Sequence, residues 1–249
     1  MSDLVSIIIP YYKKKKFFKK TIDCILRQTH QNFEIILIYD DLDQTDLSFV
    51  KFTLQKIKRM KIIINKRNLG AGRSRNIGID HSEGKFITFL DADDLWKENK
   101  LKKQIKFMKK NNISFSYSSY FVVDENGKKI KIIKSPKITT YEKLLLSCEI
   151  GLSTVMSNSK LLKKERFPNL KTKEDYLLWL KLSRKNIKML GIKEALASWR
   201  KTNNSLSSSF TQKIKDAFYI YNIFLKFNFI KSIYYIFFLS LNYLKKRYL

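Results

Sequence analysis

Four short apolar runs, each followed by a polar loop, constrain this chain more than any other feature. Residues 5–9, 34–39, 61–64 and 86–90 read as buried strands, rich in Ile, Leu and Phe. Residues 17–28 and 47–58 carry helical spacing, a third helix is expected to start near Gly72, and residues 95–111 follow as a fourth. Strand and helix in alternation predict an α/β fold: a doubly wound, mostly parallel sheet flanked by helices. Parallel strands deliver the loops after them to one sheet edge, where open α/β sheets bind ligands. Those loops carry Pro10-Tyr11-Tyr12, Asp40-Asp41, residues 65–68 and Asp91-Ala92-Asp93-Asp94.

The pattern then changes. Two strand-like stretches, 114–123 and 129–134, flank Asp124-Glu125-Asn126-Gly127, an Asn-Gly hairpin signal. Residues 153–157 and 195–199 read as further short strands, and 175–184 as a helix. The serine-rich stretch 201–209 reads as a loop or linker. From residue 210 the chain is helical, basic and aromatic, with no Asp or Glu after Asp216. The expected division is therefore 1–209 as the main domain and 210–249 as a helical appendage. Lys226 and Lys231 interrupt the apolar run, leaving it short of the ~20 residues that span a bilayer. Such a helix suits an anionic membrane surface, or packing on the main domain or a second subunit.

Charge narrows the partners. The formal net charge is +28 over 249 residues, which admits a phosphate-rich partner or a Lys-biased genome. No nucleic-acid motif accompanies it, so no nucleic-acid partner is expected. Cys24 and Cys148 lie far apart, offer no zinc spacing, and fit a reducing compartment. The N-terminus enters a strand directly, so no signal peptide is expected and the location is cytoplasmic.

The tetrapeptide after the fourth strand carries the chemistry. Three carboxylates at a strand's end repel one another unless a cation sits among them. Oxygen donors of this hardness suit Mg²⁺ or Mn²⁺, ions that also hold substrate phosphates. The competing reading is an acidic turn capping the helix near Trp96.

Taken together, several motifs form an ordered set. Val5 to Tyr12 reads V-S-I-I-I-P-Y-Y, Gln28 to Glu34 leads into a strand ending at Asp41, and Asn68-Leu69-Gly70 precedes Arg75-Asn76-Ile77-Gly78. Then follow L-D-A-D-D-L-W (residues 90–96), Lys173-Glu174-Asp175-Tyr176 with Trp179, and Trp199-Arg200. In this order and spacing, over roughly residues 4–209, the chain resembles glycosyltransferase family 2, whose fold is the Rossmann-like GT-A fold.

The resemblance implies inverting, non-processive transfer of one sugar from a nucleotide-diphosphate sugar, a UDP-hexose by family frequency. The implied acceptor is a lipid-linked oligosaccharide or lipopolysaccharide of a bacterial surface polysaccharide, met by an enzyme peripheral on the inner face of the cytoplasmic membrane. By the same resemblance Pro10, Tyr12, Asp40 and Asp41 surround the nucleoside, Arg75 and Asp91 hold the donor, and Asp93 ligates Mn²⁺ or Mg²⁺. Asp175 is the implied catalytic base, with Glu174 and Trp179 on the acceptor side. A carboxylate within reach of the acceptor hydroxyl can take its proton; equally, both acids can cap the helix that begins near Tyr176.

The chain departs from the family pattern in places. Lys13 replaces the asparagine usual after the first-strand tyrosine, and Leu42-Asp43-Gln44-Thr45 replaces Gly-Ser-Thr. No histidine follows Trp199-Arg200 to complete a metal shell, and no Q-x-x-R-W motif of a processive synthase occurs. Two rival readings are a sugar-phosphate nucleotidyltransferase, which lacks its Gly-rich loop here, and a basic nucleic-acid or membrane-binding module, which leaves the acids unexplained.

Overall fold

The computed structural model describes residues 3–202 and 210–248. Its first half alternates β1 (Val5–Tyr11), α1 (Lys15–Leu26), β2 (Phe33–Tyr39), α2 (Leu47–Leu54), β3 (Met60–Ile64), α3 (Ala71–Asp80) and β4 (Phe86–Phe89). Strands β1, β2 and β4 are buried along nearly their whole length, as strands covered by helices on both faces must be. All four pair in parallel, so their carboxyl ends meet at one edge.

The second half adds β5 (Leu95–Trp96), α4 (Lys100–Asn111), β6 (Phe115–Val123), β7 (Lys129–Ile133), β8 (Ile138–Thr139) and α5 (Tyr141–Leu146). It continues with β9 (Met156–Asn158), α6 (Ser159–Lys164), α7 (Glu174–Arg184) and β10 (Met189–Arg200). The sheet order is β3-β2-β1-β4-β9-β6-β10-β5, with β7 beside β6 and β8 beside β10. Strand β9 runs antiparallel to both β4 and β6, which makes the sheet mixed and joins its two halves.

Three expectations change in detail. Residues 95–111 are not one helix: Leu95–Trp96 pairs antiparallel with Ala197 and Ser198, and the helix starts only at Lys100. The 153–157 strand is shifted to Met156–Asn158, behind a single 3₁₀ turn at Leu152–Thr154. The last strand is longer than 195–199, because residues from Met189 onward find a parallel partner in β6. Most of the predicted 201–209 loop, residues 203–209, lies outside the described residues.

The C-terminal segment forms α8 (Phe210–Phe218), a π-helical stretch (Tyr219–Phe224) and α9 (Phe229–Tyr248). Its inner face is part of the main core: Ala217, Ile220, Tyr221, Leu225 and Ile236 share one apolar cluster with Tyr176, Leu177 and Trp179 of α7. The Tyr221 and Tyr176 hydroxyls lie 2.8 Å apart, and Asn242 Nδ2 donates to the Leu146 carbonyl. Its outer face is exposed and apolar, with Phe229, Ile230, Ile233, Tyr234 and Phe237 recurring at helical spacing. Among the described residues, no helix is long and apolar enough to cross a membrane.

Candidate active site

The carboxyl edge of the parallel strands collects the polar loops as their order requires, but the side chains divide the work unevenly. Asp40, expected at the nucleoside, is buried and fully engaged. Its two oxygens accept from Asn65 Nδ2 (2.7 Å), the Leu69 amide (2.8 Å) and the Gly70 amide (2.8 Å). It pins the β3–α3 loop, with Gly70 in the positive-φ position (80°) that the turn into α3 needs. Through these contacts Asp40 shapes the loop leading into α3. Asp41 is equally buried but makes none of these contacts; burial, then the neighbouring Asp43 charge, raise its carboxyl above the usual range. Pro10 is half-buried near the end of β1, and Tyr12 just beyond it is exposed.

Asp91, Asp93 and Asp94 take three different directions. Asp94 faces inward, accepting from Ser153 Oγ (2.6 Å) and the Arg200 amide (2.9 Å). Burial pushes its proton affinity well up, with Asp93 and Asp91 adding to the push. Arg200, the buried partner of an exposed Trp199, donates from Nε to the Asp93 carbonyl (2.8 Å) and from Nη1 to the Asp124 and Glu125 carbonyls. This arginine therefore fastens the acidic loop to the β6–β7 hairpin. Asp93 is mostly buried and turns toward α1, its Oδ2 2.6 Å from Lys14 Nζ. Burial raises the Asp93 carboxyl, Lys14 opposes that, and Asp91 adds to it.

Arg75 is the link between the two halves of the site. It was expected to contact the donor, yet its side chain is only 5 % exposed. Nη2 donates to Asp91 (2.8 Å) and Nη1 to Glu174 (2.5 Å), while the guanidinium lies over the Phe167 ring. Burial works against its charge, but Asp91 and Glu174 outweigh burial and hold it protonated. Helix α3 can press this close because residue 72 is glycine: a Cβ there would stand 3.0 Å from Glu174 Cγ. Asn76 sits within α3 and bonds the Phe167 backbone from both ends of its amide.

Glu174 and Asp175 open α7, preceded by Lys173 in the left-handed region (φ 60°). Glu174 is buried and taken up by Arg75. Asp175 is partly exposed, and its Oδ1 accepts the Tyr176 amide (2.7 Å). Burial raises the Asp175 carboxyl, offset by the Arg75 charge and that amide, with Asp91 adding to the rise. Burial raises the phenol of the nearby Tyr120, with the Cys148 and Glu149 charges adding to it. The Arg75 bridge brings the acidic loop and the first turn of α7 together. Trp179, expected on the acceptor side, does not join them. It is fully buried in the core against Phe115 and Phe167, because α7 is apolar on nearly every side.

The donor set suits a divalent ion in a limited way. Asp93 and Asp91 repel each other, and Asp93 already takes a cationic partner. Among the described residues no group of three His, Cys, Asp or Glu converges. The protein would thus supply one or two oxygens, as Mg²⁺ and Mn²⁺ sites completed by phosphates and water do. Lys14 and Ser153 gave no sequence signal: the first sits in a run of four lysines, the second opens a stretch read only as a short strand.

Comparison with known proteins bears on the family and the fold. A family model described as Glycosyl transferase family 2 matches residues 6–170. The chain is 37% identical over 214 residues to the Escherichia coli UDP-Glc:alpha-D-GlcNAc-diphosphoundecaprenol beta-1,3-glucosyltransferase WfgD, covering 85% of this chain and 83% of that one. Among solved structures, Staphylococcus aureus TarS 1-349 in complex with UDP-GlcNAc superposes with a TM-score of 0.69 at 23% identity. That match covers 83% of this chain, which spans 61% of the TarS fragment. The mannosyltransferase PcManGT from Pyrobaculum calidifontis, in complex with GDP-Man and Mn2+, gives 0.66 at 16% identity, covering 89% of this chain and 63% of that one. These two likenesses establish the fold.

Proposed function

The chain belongs to glycosyl transferase family 2, and from that membership we propose that it moves one sugar, with inversion, from a UDP-hexose to a lipid-linked oligosaccharide or lipopolysaccharide acceptor in bacterial surface-polysaccharide synthesis. The observation that carries this reading is the Arg75 bridge, which holds the acidic loop after β4 against the acids that open α7. A donor diphosphate at the first and an acceptor hydroxyl at the second would then share one cleft.

In this mechanism Asp175 accepts the acceptor's proton as the hydroxyl attacks the anomeric carbon. Burial raises its proton affinity, which makes it a better proton acceptor than a solvated aspartate. Arg75 and Glu174 position Asp91 and Asp175 rather than touch the acceptor. Pro10, Tyr12 and Asp41 line the nucleoside end, and Asp91 reaches toward the donor's ribose or sugar. Asp93 would hold Mn²⁺ or Mg²⁺; such an ion, when bound, neutralises charge on the departing diphosphate. The fold relative carrying Mn2+ supports that assignment. The test is a nucleotide-sugar panel read by thermal shift with Mn²⁺. Stabilisation by a UDP-sugar is expected, and release of pyrophosphate instead of UDP would overturn the reading.

We further infer that 1–209 is the catalytic unit and that 210–249 holds it peripherally on the inner face of the cytoplasmic membrane. The exposed apolar face of α9 supports this, flanked as it is by exposed Lys226 and Lys231 in a segment with no acid after Asp216. A lysine near an anionic bilayer contributes about 1 kcal/mol. The acceptor named for WfgD, a diphosphoundecaprenol, is a lipid of the kind such a surface would meet.

A further inference from the structure

Four consecutive lysines, 13–16, follow β1, and only one turns inward. Lys13, Lys15 and Lys16 keep 54%, 57% and 68% of their side-chain surface in water, against 25% for Lys14. The turn that aims it is local. Lys13 adopts a left-handed backbone (φ 49°), a conformation asparagine tolerates better than lysine. The kink leaves Lys14 as the residue before α1, at the carboxyl end of β1. Strands β1 and β4 are hydrogen-bonded neighbours, so the Lys14 stem spans to the loop after β4 and puts Nζ 2.6 Å from Asp93 Oδ2.

We propose that Lys14 is a resident counter-ion of Asp93 which a divalent metal must displace, so that the ion enters with the nucleoside diphosphate rather than ahead of it. This rests on the glycosyltransferase reading above. A bare ion would have to evict an ammonium from a mostly buried carboxylate, with only one or two protein oxygens in return. A diphosphate changes both terms: its oxygens complete the metal's shell, and its charge receives the displaced ammonium. Lysine suits the exchange, being a point charge on a flexible four-carbon stem, whereas a planar guanidinium is bound to one geometry. Lys14 is on this account a positioning residue, swinging between an enzyme carboxylate and a substrate phosphate.

The test titrates the full-length protein with Mn²⁺, reading free ion by electron paramagnetic resonance and heat by calorimetry, with and without UDP. Wild type should bind Mn²⁺ weakly alone and at least tenfold more tightly with UDP present. Lys14→Met should bind Mn²⁺ alone at least tenfold more tightly than wild type, and should bind UDP more weakly when Mn²⁺ saturates. Lys15→Met, which removes an exposed charge from the same run, should match wild type. Unfolding temperatures of all variants, taken in parallel, separate a local effect from a fold defect. If Lys14→Met and wild type bind free Mn²⁺ alike, or Lys15→Met tightens it equally, the inference is wrong. Asp93→Asn distinguishes the two levels: it should abolish UDP-linked Mn²⁺ binding. Persistent binding there would remove the metal assignment itself, and the Lys14 inference with it.

Discussion

The Arg75 guanidinium lies 2.5 Å from Glu174 Oε1, joining residues 99 positions apart in the chain. Because the same guanidinium holds Asp91, one arginine sets the distance between the acidic loop and the mouth of α7. Glu174 is buried at this contact, whereas Asp91 keeps 33% of its side-chain surface exposed.

Removing the bridge should therefore cost stability as well as rate. Arg75→Met leaves Glu174 buried without its cation, a change that typically costs about 3–5 kcal/mol. Urea unfolding should show a lowered midpoint, and transfer should fall even at saturating donor. A variant with wild-type stability would mean that Glu174 finds another partner.

Asp175→Asn should keep the fold and UDP binding while losing transfer by about 10²–10⁴-fold, the range usual for a general base. The pH profile carries the sign. As the base, Asp175 would work only when ionised, and burial raises its carboxyl above the ordinary 3.8. Wild-type kcat should thus fall as pH drops through that raised value, on an acid limb displaced above that of an exposed aspartate. Undiminished turnover in the asparagine variant would exclude Asp175 as base.

The paired aspartates after β2 should separate cleanly. Asp40→Ala strips the acceptor from three donors and should lower stability by about 3 kcal/mol, judging from hydrogen bonds to charged groups. Asp41→Asn should leave the unfolding midpoint nearly unchanged and weaken nucleotide binding. Calorimetry with UDP and denaturant melts on both variants decide it; the reverse pattern would exchange their roles.

Lys100 offers a test of the core. It is fully buried, its Nζ donates to Thr88 Oγ1 (3.0 Å), and it lies over the Trp96 ring. Burial pulls its proton affinity well below the ordinary 10.5. Between the folded value and 10.5 the unfolded chain carries the extra proton, so this group makes stability rise with pH across that window. Lys100→Met should flatten the rise, and chemical denaturation at neutral and alkaline pH should show it. Parallel slopes in the two proteins would mean that the amine stays charged when buried.

The outer face of α9 can be tested without touching the core. Phe237→Asp and Ile233→Asp change exposed positions and should leave the unfolding temperature within a degree or two. Flotation with vesicles containing phosphatidylglycerol should drop severalfold, and wild type should bind neutral phosphatidylcholine vesicles poorly. Equal flotation of variants and wild type would assign that face to another partner.

The four parallel strands, the common edge of their loops and the acids at residues 91–94 and 174–175 were legible in the chain alone, because apolar periodicity and βα alternation are local properties. Family resemblance added which acids belong together. What sequence could not decide was which carboxylate the fold itself engages. Asp40 and Asp41 are adjacent and chemically alike, yet one is consumed by the Leu69 and Gly70 amides and the other is free of them. Trp179 looked like a sugar platform and became core, since its helix is enclosed on nearly all sides. Lys14 was one of four equal lysines until the backbone turn at Lys13 aimed it at Asp93. Side-chain partnership depends on directions and distances between remote segments, and those exist only once the sheet has closed.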